Sequence, residues 1–293
     1  MDILILGGSG QLGQTVYKEL KNNFKVVSFN KSQLSILDKQ GLIKAINKYC
    51  PKFIVNCSAY TKVELAEIEK EKANDVNYIG IKNLCEAAKL NQVSLIHFST
   101  DYVFDGLKNS PYSEDDRAIP LNEYGVSKLK GENYLIDNFT NFFIFRVSGI
   151  YSEYGENFVK TMMKLRDKER FSVINDQVMK PSSASFIADF IKINLLKKNF
   201  IPSNTGLYNL ASNGPKISWY GFAELIFQEM LKQKLIAGAP EIFPILSKDY
   251  ASSVMRPKFS VLSNNKVKKK FILPNGDYRE ILKKELFRIY KSL

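Results

Sequence analysis

Ile3-Leu-Ile-Leu6 runs straight into Gly7-Gly-Ser-Gly10-Gln-Leu-Gly13, and Leu12, Val16 and Leu20 then recur at helical spacing. A short apolar run, a glycine-rich turn and an amphipathic stretch make a strand–loop–helix unit. Glycines at 7, 10 and 13 permit tight turning and close approach to the backbone. The helix N-terminus then offers unpaired N–H groups and the positive end of its dipole to a pyrophosphate. Gly7, Ser9, Gly10, Gln11, Leu12 and Gly13 are therefore the expected cradle for a dinucleotide. A glycine trio is common by chance, and the strand before it and helix after it give this one its meaning.

The alternation continues outward from that unit. Residues 25–29 read as a strand, 40–48 as a helix stopped by Pro51, and 53–57 as a third strand. A long helix follows over 73–90, with Val76, Ile79, Leu84 and Ala87 as its apolar stripe, then a strand over 93–99. After a polar loop come a helix around 127–135 and a strand over 141–147. Continuously apolar strands alternating with helices are buried on both faces, as in a parallel α/β sheet. The expected architecture is a Rossmann-like doubly wound parallel sheet over residues 1–150. Over 151–293, Pro, Gly and Asn punctuate short segments, and a smaller mixed substrate-binding domain is expected, with some segments returning to the main sheet. Ligands on such a sheet bind at the carboxyl ends of the strands, near the switch point. Residues 7–13, 56–61, 99–103 and 124–128 all fall there.

Tyr124-Gly-Val-Ser-Lys128 places a phenol and an ammonium four residues apart, on one helix face. A nearby cation favours the phenolate and makes the hydroxyl a better proton donor at neutral pH. The lysine can also hold a cofactor ribose hydroxyl. Thr100 is the third group, donating a hydrogen bond to the reacting oxygen as charge develops on it. Alone, the spacing marks no more than a helix face; after a dinucleotide loop it marks a nicotinamide-dependent oxidoreductase. An NAD site carries an acidic residue about 20 residues past the loop. Here the second strand ends Ser28-Phe-Asn30-Lys31, with no carboxylate to repel a 2′-phosphate and a lysine to pair with one. NADPH is thus expected, with NADH the alternative.

The chain has 293 residues, 45% of them hydrophobic, enough for one large or two modest domains. Net charge is +12, but the lysines are spread, and only Lys266 and Lys268-Lys-Lys270 cluster, without an aromatic stacking motif. That balance suits an anionic cofactor and a nucleotide-linked substrate, and no nucleic-acid partner is expected. Cys50, Cys57 and Cys85 have no metal spacing and their number is odd. His97, the lone histidine, reads as a satisfied strand residue. The first apolar run is too short for a membrane span and has no signal-peptide flanks. A soluble cytoplasmic enzyme without a membrane partner is expected.

These residues resemble the extended short-chain dehydrogenase/reductase family, and within it the dTDP-4-dehydrorhamnose reductases. The resemblance is carried by the glycine loop, Val55-Asn-Cys-Ser-Ala-Tyr60, Ser99-Thr-Asp-Tyr-Val-Phe104, Asn122-Glu-Tyr-Gly-Val-Ser-Lys128, Phe145-Arg-Val-Ser148, Asn157-Phe158, Val173-Ile-Asn-Asp-Gln177, Gly206-Leu-Tyr208 and Arg256-Pro257. It implies reduction of the C4 keto group of a nucleotide-linked 4-keto-6-deoxy sugar, dTDP-4-dehydrorhamnose to dTDP-L-rhamnose, with Thr100, Tyr124 and Lys128 catalytic. It also implies that Asn30, Lys31, Ser35, Ile36, Ser58, Ala59 and Thr61 line the cofactor. Thr100, Asp101, Tyr102, Gly149, Asn175, Gln177 and Arg256 then contact substrate, with Arg256 clamping the diphosphate. Gly149 stands where the family usually has Trp, and Met179 in Asp176-Gln-Val-Met-Lys-Pro181 stands where it has Gly. The first departure opens space beside the sugar that Met179 can refill. Ser35-Ile36 departs from the usual Asp-Ile on the adenine side. Some members bind Mg²⁺ through glutamates at a dimer interface; Thr15 stands at the first-helix position, so no metal is expected, while a homodimer is. Two other readings are an epimerase with tightly held NAD and a non-catalytic nucleotide-binding subunit of the methionine adenosyltransferase regulatory type.

Overall fold

The computed structural model describes residues 1–252 and 254–293. Its centre is a six-stranded sheet of β1 (Ile3–Leu6), β2 (Val26–Phe29), β3 (Phe53–Asn56), β4 (Ser94–Thr100), β5 (Phe142–Val147) and β6 (Gly206–Asn209). The order is β6-β5-β4-β3-β1-β2 and every pairing is parallel. Helices cover both faces. α1 (Gln11–Leu20) and α6 (Ala184–Leu196) bury Val16, Leu20, Phe186 and Phe190 on one side. α2 (Lys39–Tyr49), α3 (Gly80–Lys89) and α4 (Glu123–Asn138) bury Leu42, Ile46, Leu84 and Leu135 on the other. This is the doubly wound α/β fold that the apolar strand runs predict.

The sheet reverses direction at β1, which has β2 on one side and β3 on the other. The loops after β1 and β3 therefore part above this switch point. They still touch at Gly7, whose φ of +74° and lack of a side chain are both needed. A Cβ there would lie 2.7 Å from the Cys57 carbonyl carbon and the Ser58 nitrogen.

Segments beyond residue 150 return to this sheet. β6 docks on β5, and an aromatic cluster of Phe143, Phe145, Phe190, Phe200, Tyr208 and Phe271 seals the edge, with ring centroids 4.9 Å apart for Phe143–Phe200 and 5.0 Å for Phe145–Phe190. A second apolar cluster unites α5 (Phe158–Lys164), α7 (Trp219–Lys232) and α8 (Tyr278–Tyr290), through Met163, Phe222, Ile226 and Leu286 among others. Residues 237–245 are not wholly irregular, since Glu241–Ile245 pairs parallel with Arg170–Ile174. Pro244 sits on that two-stranded ribbon, where a missing N–H is tolerated at an edge.

Two helices differ from their expected form. α4 begins at Glu123 rather than near 127, because Asn122 caps it by accepting the Gly125 N–H at 2.9 Å. Tyr124 thus lies in the first turn. The helix expected over 73–90 runs without interruption from Lys70 to Lys89, but its middle, Asp75–Ile79, is wound as a π turn between Lys70–Asn74 and α3. One buried ion pair lies under α4: Arg146 of β5 meets Glu132 with Nε–Oε1 3.0 Å and Nη2–Oε2 2.7 Å.

Candidate active site

The carboxyl end of β4 turns at Thr100 into a 3₁₀ turn, Asp101–Val103. The Thr100 hydroxyl accepts the Tyr102 N–H and lies 3.2 Å from Asp101 Oδ1. Asp101 is buried, and its Oδ2 accepts the Ser148 hydroxyl at 2.6 Å. Burial raises the Asp101 carboxyl pKa, against hydrogen bonds from Ser148, Ser260 and Thr100 that lower it. The Tyr102 ring meets the Tyr124 ring edge-on, 5.7 Å apart. Gly125 permits this closeness, since a Cβ there would overlap the Tyr102 carbonyl.

Burial pushes the Tyr124 phenol up to about 12, while the Thr100 hydroxyl within hydrogen-bonding reach pulls it down. Lys128 is 2% exposed and donates from Nζ to the Phe98 carbonyl at 2.6 Å. Burial brings its ammonium down to about 8, against the attraction of Glu132. Burial is thus the largest influence on Tyr124, with Thr100 opposing it and the Asp101 charge adding to it. Ser99, on the same strand end, is buried with its hydroxyl unpartnered among the described residues. It is Thr100 that reaches Tyr124.

The glycine loop fits a dinucleotide. Gly10 caps α1 with extended backbone and no side-chain hydrogen bond, leaving the first N–H groups of α1 without a side-chain acceptor. A Cβ at Gly13 would overlap the Gly7 carbonyl. Ser9 and Gly10 are exposed, while Gln11 donates to the Ile150 carbonyl and Leu12 is buried in the core. Across the switch point, Asn56 accepts the Ser58 N–H at 3.0 Å and fixes the strand end leading to Ala59 and Thr61. Lys31 is exposed beside Asn30. Asn30 folds back on its own loop, accepting from Ser32 and Gln33, and is not turned outward. Ser35 accepts the Leu37 N–H, and Ile36 is packed in the core against Gly80, so neither is a free surface for adenine.

Two clefts meet at Gln177. Asp101, Tyr102, Gly149, Gln177, Met179 and Trp219 line the first. The second is basic, with Lys248, Arg256 and Lys258 beside Gln177 and Tyr250. Gln177 borders both and donates to the Ser247 hydroxyl at 2.9 Å. Arg256 pairs with Glu64, and its Nε has no partner among the described residues. Asn175 lines neither cleft. It is exposed, and its Oδ1 accepts the Ser218 hydroxyl at 2.7 Å at the start of α7. Among the described residues no group of three or more His, Cys, Asp or Glu side chains gathers to hold a metal, and no helix is long and apolar enough to cross a membrane.

Residues 1–290 match the RmlD substrate binding domain. The chain belongs to this family. The dTDP-4-dehydrorhamnose reductase of Aggregatibacter actinomycetemcomitans is 36% identical over 286 residues, covering 96% of this chain and 97% of that protein. Among solved structures, the dTDP-4-dehydrorhamnose reductase of Bacillus anthracis in complex with NADP superposes with a TM-score of 0.88 at 30% identity, covering 100% of both chains. A Clostridium acetobutylicum ortholog gives 0.90 at 32% identity, covering 99% of each.

Within this RmlD-family site, several residues escape a sequence reading. Asn77, in the π turn, binds both the N–H and the carbonyl of Tyr60 and donates to Ser127, whose hydroxyl donates to the Tyr124 carbonyl. A lone amide on an apolar helix stripe was the available signal. Asn122 Nδ2 donates to the Met255 carbonyl at 2.9 Å, tying the catalytic helix to the segment that carries Arg256. His97 is only half satisfied: Nδ1 lies 3.1 Å from Asn56 Nδ2, and Nε2 has no partner among the described residues. Burial, and Lys128 nearby, keep it neutral.

Proposed function

We propose that the protein reduces dTDP-4-dehydrorhamnose to dTDP-L-rhamnose with NADPH, at the site built from Thr100, Tyr124 and Lys128. The observation that carries this is the match of residues 1–290 to the RmlD family, supported by Thr100 at the carboxyl end of β4 and by Tyr124 and Lys128 one turn apart on α4. Residues 1–150, with the later segments that rejoin the sheet, form the dinucleotide unit, and the remainder of 151–293 presents the sugar nucleotide. Residues 7–13 would hold the pyrophosphate of the dinucleotide, which when bound in its reduced form would supply the hydride. Thr100 orients the C4 oxygen, and Tyr124 gives that oxygen its phenolic proton. Lys128 steadies the phenolate left behind and holds a ribose hydroxyl. Arg256 leaves Glu64 for the diphosphate, and Ser58, Ala59 and Thr61 line the cofactor. A cytoplasmic location and a homodimer complete this reading; light scattering tests the dimer, and a monomeric mass would remove it.

An epimerase requires tightly held NAD, and the acid that favours NAD is missing at Asn30. A purely binding subunit has no need of the assembled Thr100, Tyr124 and Lys128. The direct test is NADPH oxidation with dTDP-4-keto-6-deoxy sugars, with product stereochemistry read by NMR. No turnover of any such sugar would remove the proposal.

Two further results are expected. Lys31→Glu lowers kcat/KM for NADPH by about tenfold and leaves NADH little changed, reflecting one lost charge–phosphate contact of about 1.4 kcal/mol. Equal losses with both cofactors would place Lys31 outside the ribose site. Turnover also falls as pH rises through about 8, because Lys128 loses its cation there. The stability sign is opposite. Lys128 is depressed from 10.5 on folding, so the unfolded chain binds more protons between about 8 and 10.5. Its charged form destabilises the native state below that window, and the penalty disappears as pH rises through it. Lys128→Met therefore flattens that part of the Tm–pH curve while abolishing turnover.

A further inference from the structure

We propose that the turn after α6 and the segment from Lys266 to Ile272 form one basic, aliphatic face that rests on an anionic lipid bilayer, so that the protein adsorbs peripherally to membranes. Adsorption needs no spanning helix, and it departs from the sequence expectation of no membrane partner, which followed from the lack of a span. The charge is local. Residues 190–223 and 250–276 contain no Asp or Glu, and Lys197, Lys198, Lys266, Lys268, Lys269 and Lys270 fall within them. All six are exposed, and none forms an ion pair among the described residues. Asp189 of α6 and Glu19 of α1 are committed to Lys192 instead.

The fold pins the two stretches together. Asn194, buried near the end of α6, accepts the Ile272 N–H at 2.9 Å and donates to the Ile272 carbonyl at 2.8 Å. The Phe200 and Phe271 rings pack with centroids 5.3 Å apart. Each buried ring is followed by an isoleucine left in water: Ile201 is 43% exposed and Ile272 45%, with Leu196 at 52%. Three aliphatic side chains thus stand among six unpaired ammonium groups. Phe200 also meets Phe53 and Phe143, at the amino ends of β3 and β5, with centroids 6.0 and 4.9 Å apart. The face therefore lies at the amino ends of the strands. Thr100 and the glycine loop lie at their carboxyl ends, so a bilayer here leaves that side open.

The chemistry selects the occupant. A second copy of this face carries the same charge and is repelled. A nucleic acid uses the lysines but not the aliphatic side chains, and strand binding adds stacking on aromatic rings. Here Phe200, Tyr208 and Phe271 are buried, with Lys266 lying over the Tyr208 ring at 5.4 Å. An anionic bilayer uses both kinds of group: lysines meet the headgroups, and aliphatic side chains enter the acyl boundary.

The test sediments the full-length protein with vesicles of phosphatidylcholine alone, or with about one third phosphatidylglycerol, in about 0.1 M salt. Partition onto the anionic vesicles is expected to exceed that onto the neutral ones by at least about 100-fold, and to weaken in about 1 M salt. Changing Lys268, Lys269 and Lys270 together to Gln lowers it by about 100-fold, roughly fivefold for each charge, and changing them to Arg preserves it. Ile201→Ser with Ile272→Ser lowers it by about tenfold and leaves its salt dependence unchanged. These side chains are exposed, so every variant melts within about 2 °C of wild type. Equal partition onto both vesicles, or undiminished partition in both the Gln and Ser variants, overturns the proposal. Binding to duplex DNA as strong as to the anionic vesicles, with the Ser variant unchanged on both, makes this a nucleic-acid surface and overturns the bilayer.

Discussion

Tyr124→Phe lowers kcat by about 10²–10⁴-fold, the usual worth of a positioned general acid, while NADPH binds as in wild type. Only the hydroxyl is removed. The ring that packs edge-on against Tyr102, and the carbonyl that accepts from Ser127, both remain. Fluorescence titration of NADPH and stopped-flow turnover separate the two quantities. Near-wild-type kcat in this variant would sink the mechanism. The high Tyr124 pKa gives the prediction a second edge: a phenol held up to about 12 stays protonated throughout the working range, so the donor limb of the pH profile lies at the alkaline end. The fall near pH 8 then belongs to Lys128, and Lys128→Arg, which does not titrate there, should lose that fall even if its turnover is low.

Glu132→Gln is expected to cost about 3–5 kcal/mol, the largest stability effect of any single change considered. Glu132 is 0% exposed and Arg146 3%, so the guanidinium left behind cannot reach water. Arg146 lies over the Phe104 ring at 4.9 Å and its Nη1 has no partner among the described residues, so nothing else neutralises it. At about 2–4 °C per kcal/mol for a chain of this size, Tm falls by about 10 °C. The double change Glu132→Leu with Arg146→Met recovers most of the loss, because an apolar pair pays no desolvation penalty. A single variant that melts within about 2 °C of wild type would show the pair is solvated.

Much of the fold is legible because strands buried on two faces leave unbroken apolar runs. Residues 3–6, 53–56 and 94–98 can be read directly, and the glycine loop between β1 and α1 is a local pattern. Tyr124 and Lys128 were readable for the same reason, being one helical turn apart. What was not legible is polar and distant in sequence. Glu132 and Arg146 look like two more surface charges until β5 is seen beneath α4. The bond between Asn175 and Ser218, far along the chain, has no local signal either. The rise of the Tyr124 phenol was not legible, because spacing reports which face a residue shares and not whether water reaches it. Trp219 carried no pattern at all; only the short strand pair brings it to the cleft.

Asn122 has two ends at work. Its oxygen starts the helix that carries the proposed proton donor, and its nitrogen grips the backbone at Met255, beside the proposed diphosphate clamp. One side chain thus joins the start of α4 to the segment that leads into Arg256. Anyone exchanging the sugar-facing half for that of a relative, to change what is reduced, also replaces the footing of the group that does the protonation. Specificity and turnover are therefore not separable modules in this chain, and grafts that ignore the carbonyl at 255 should be judged on both.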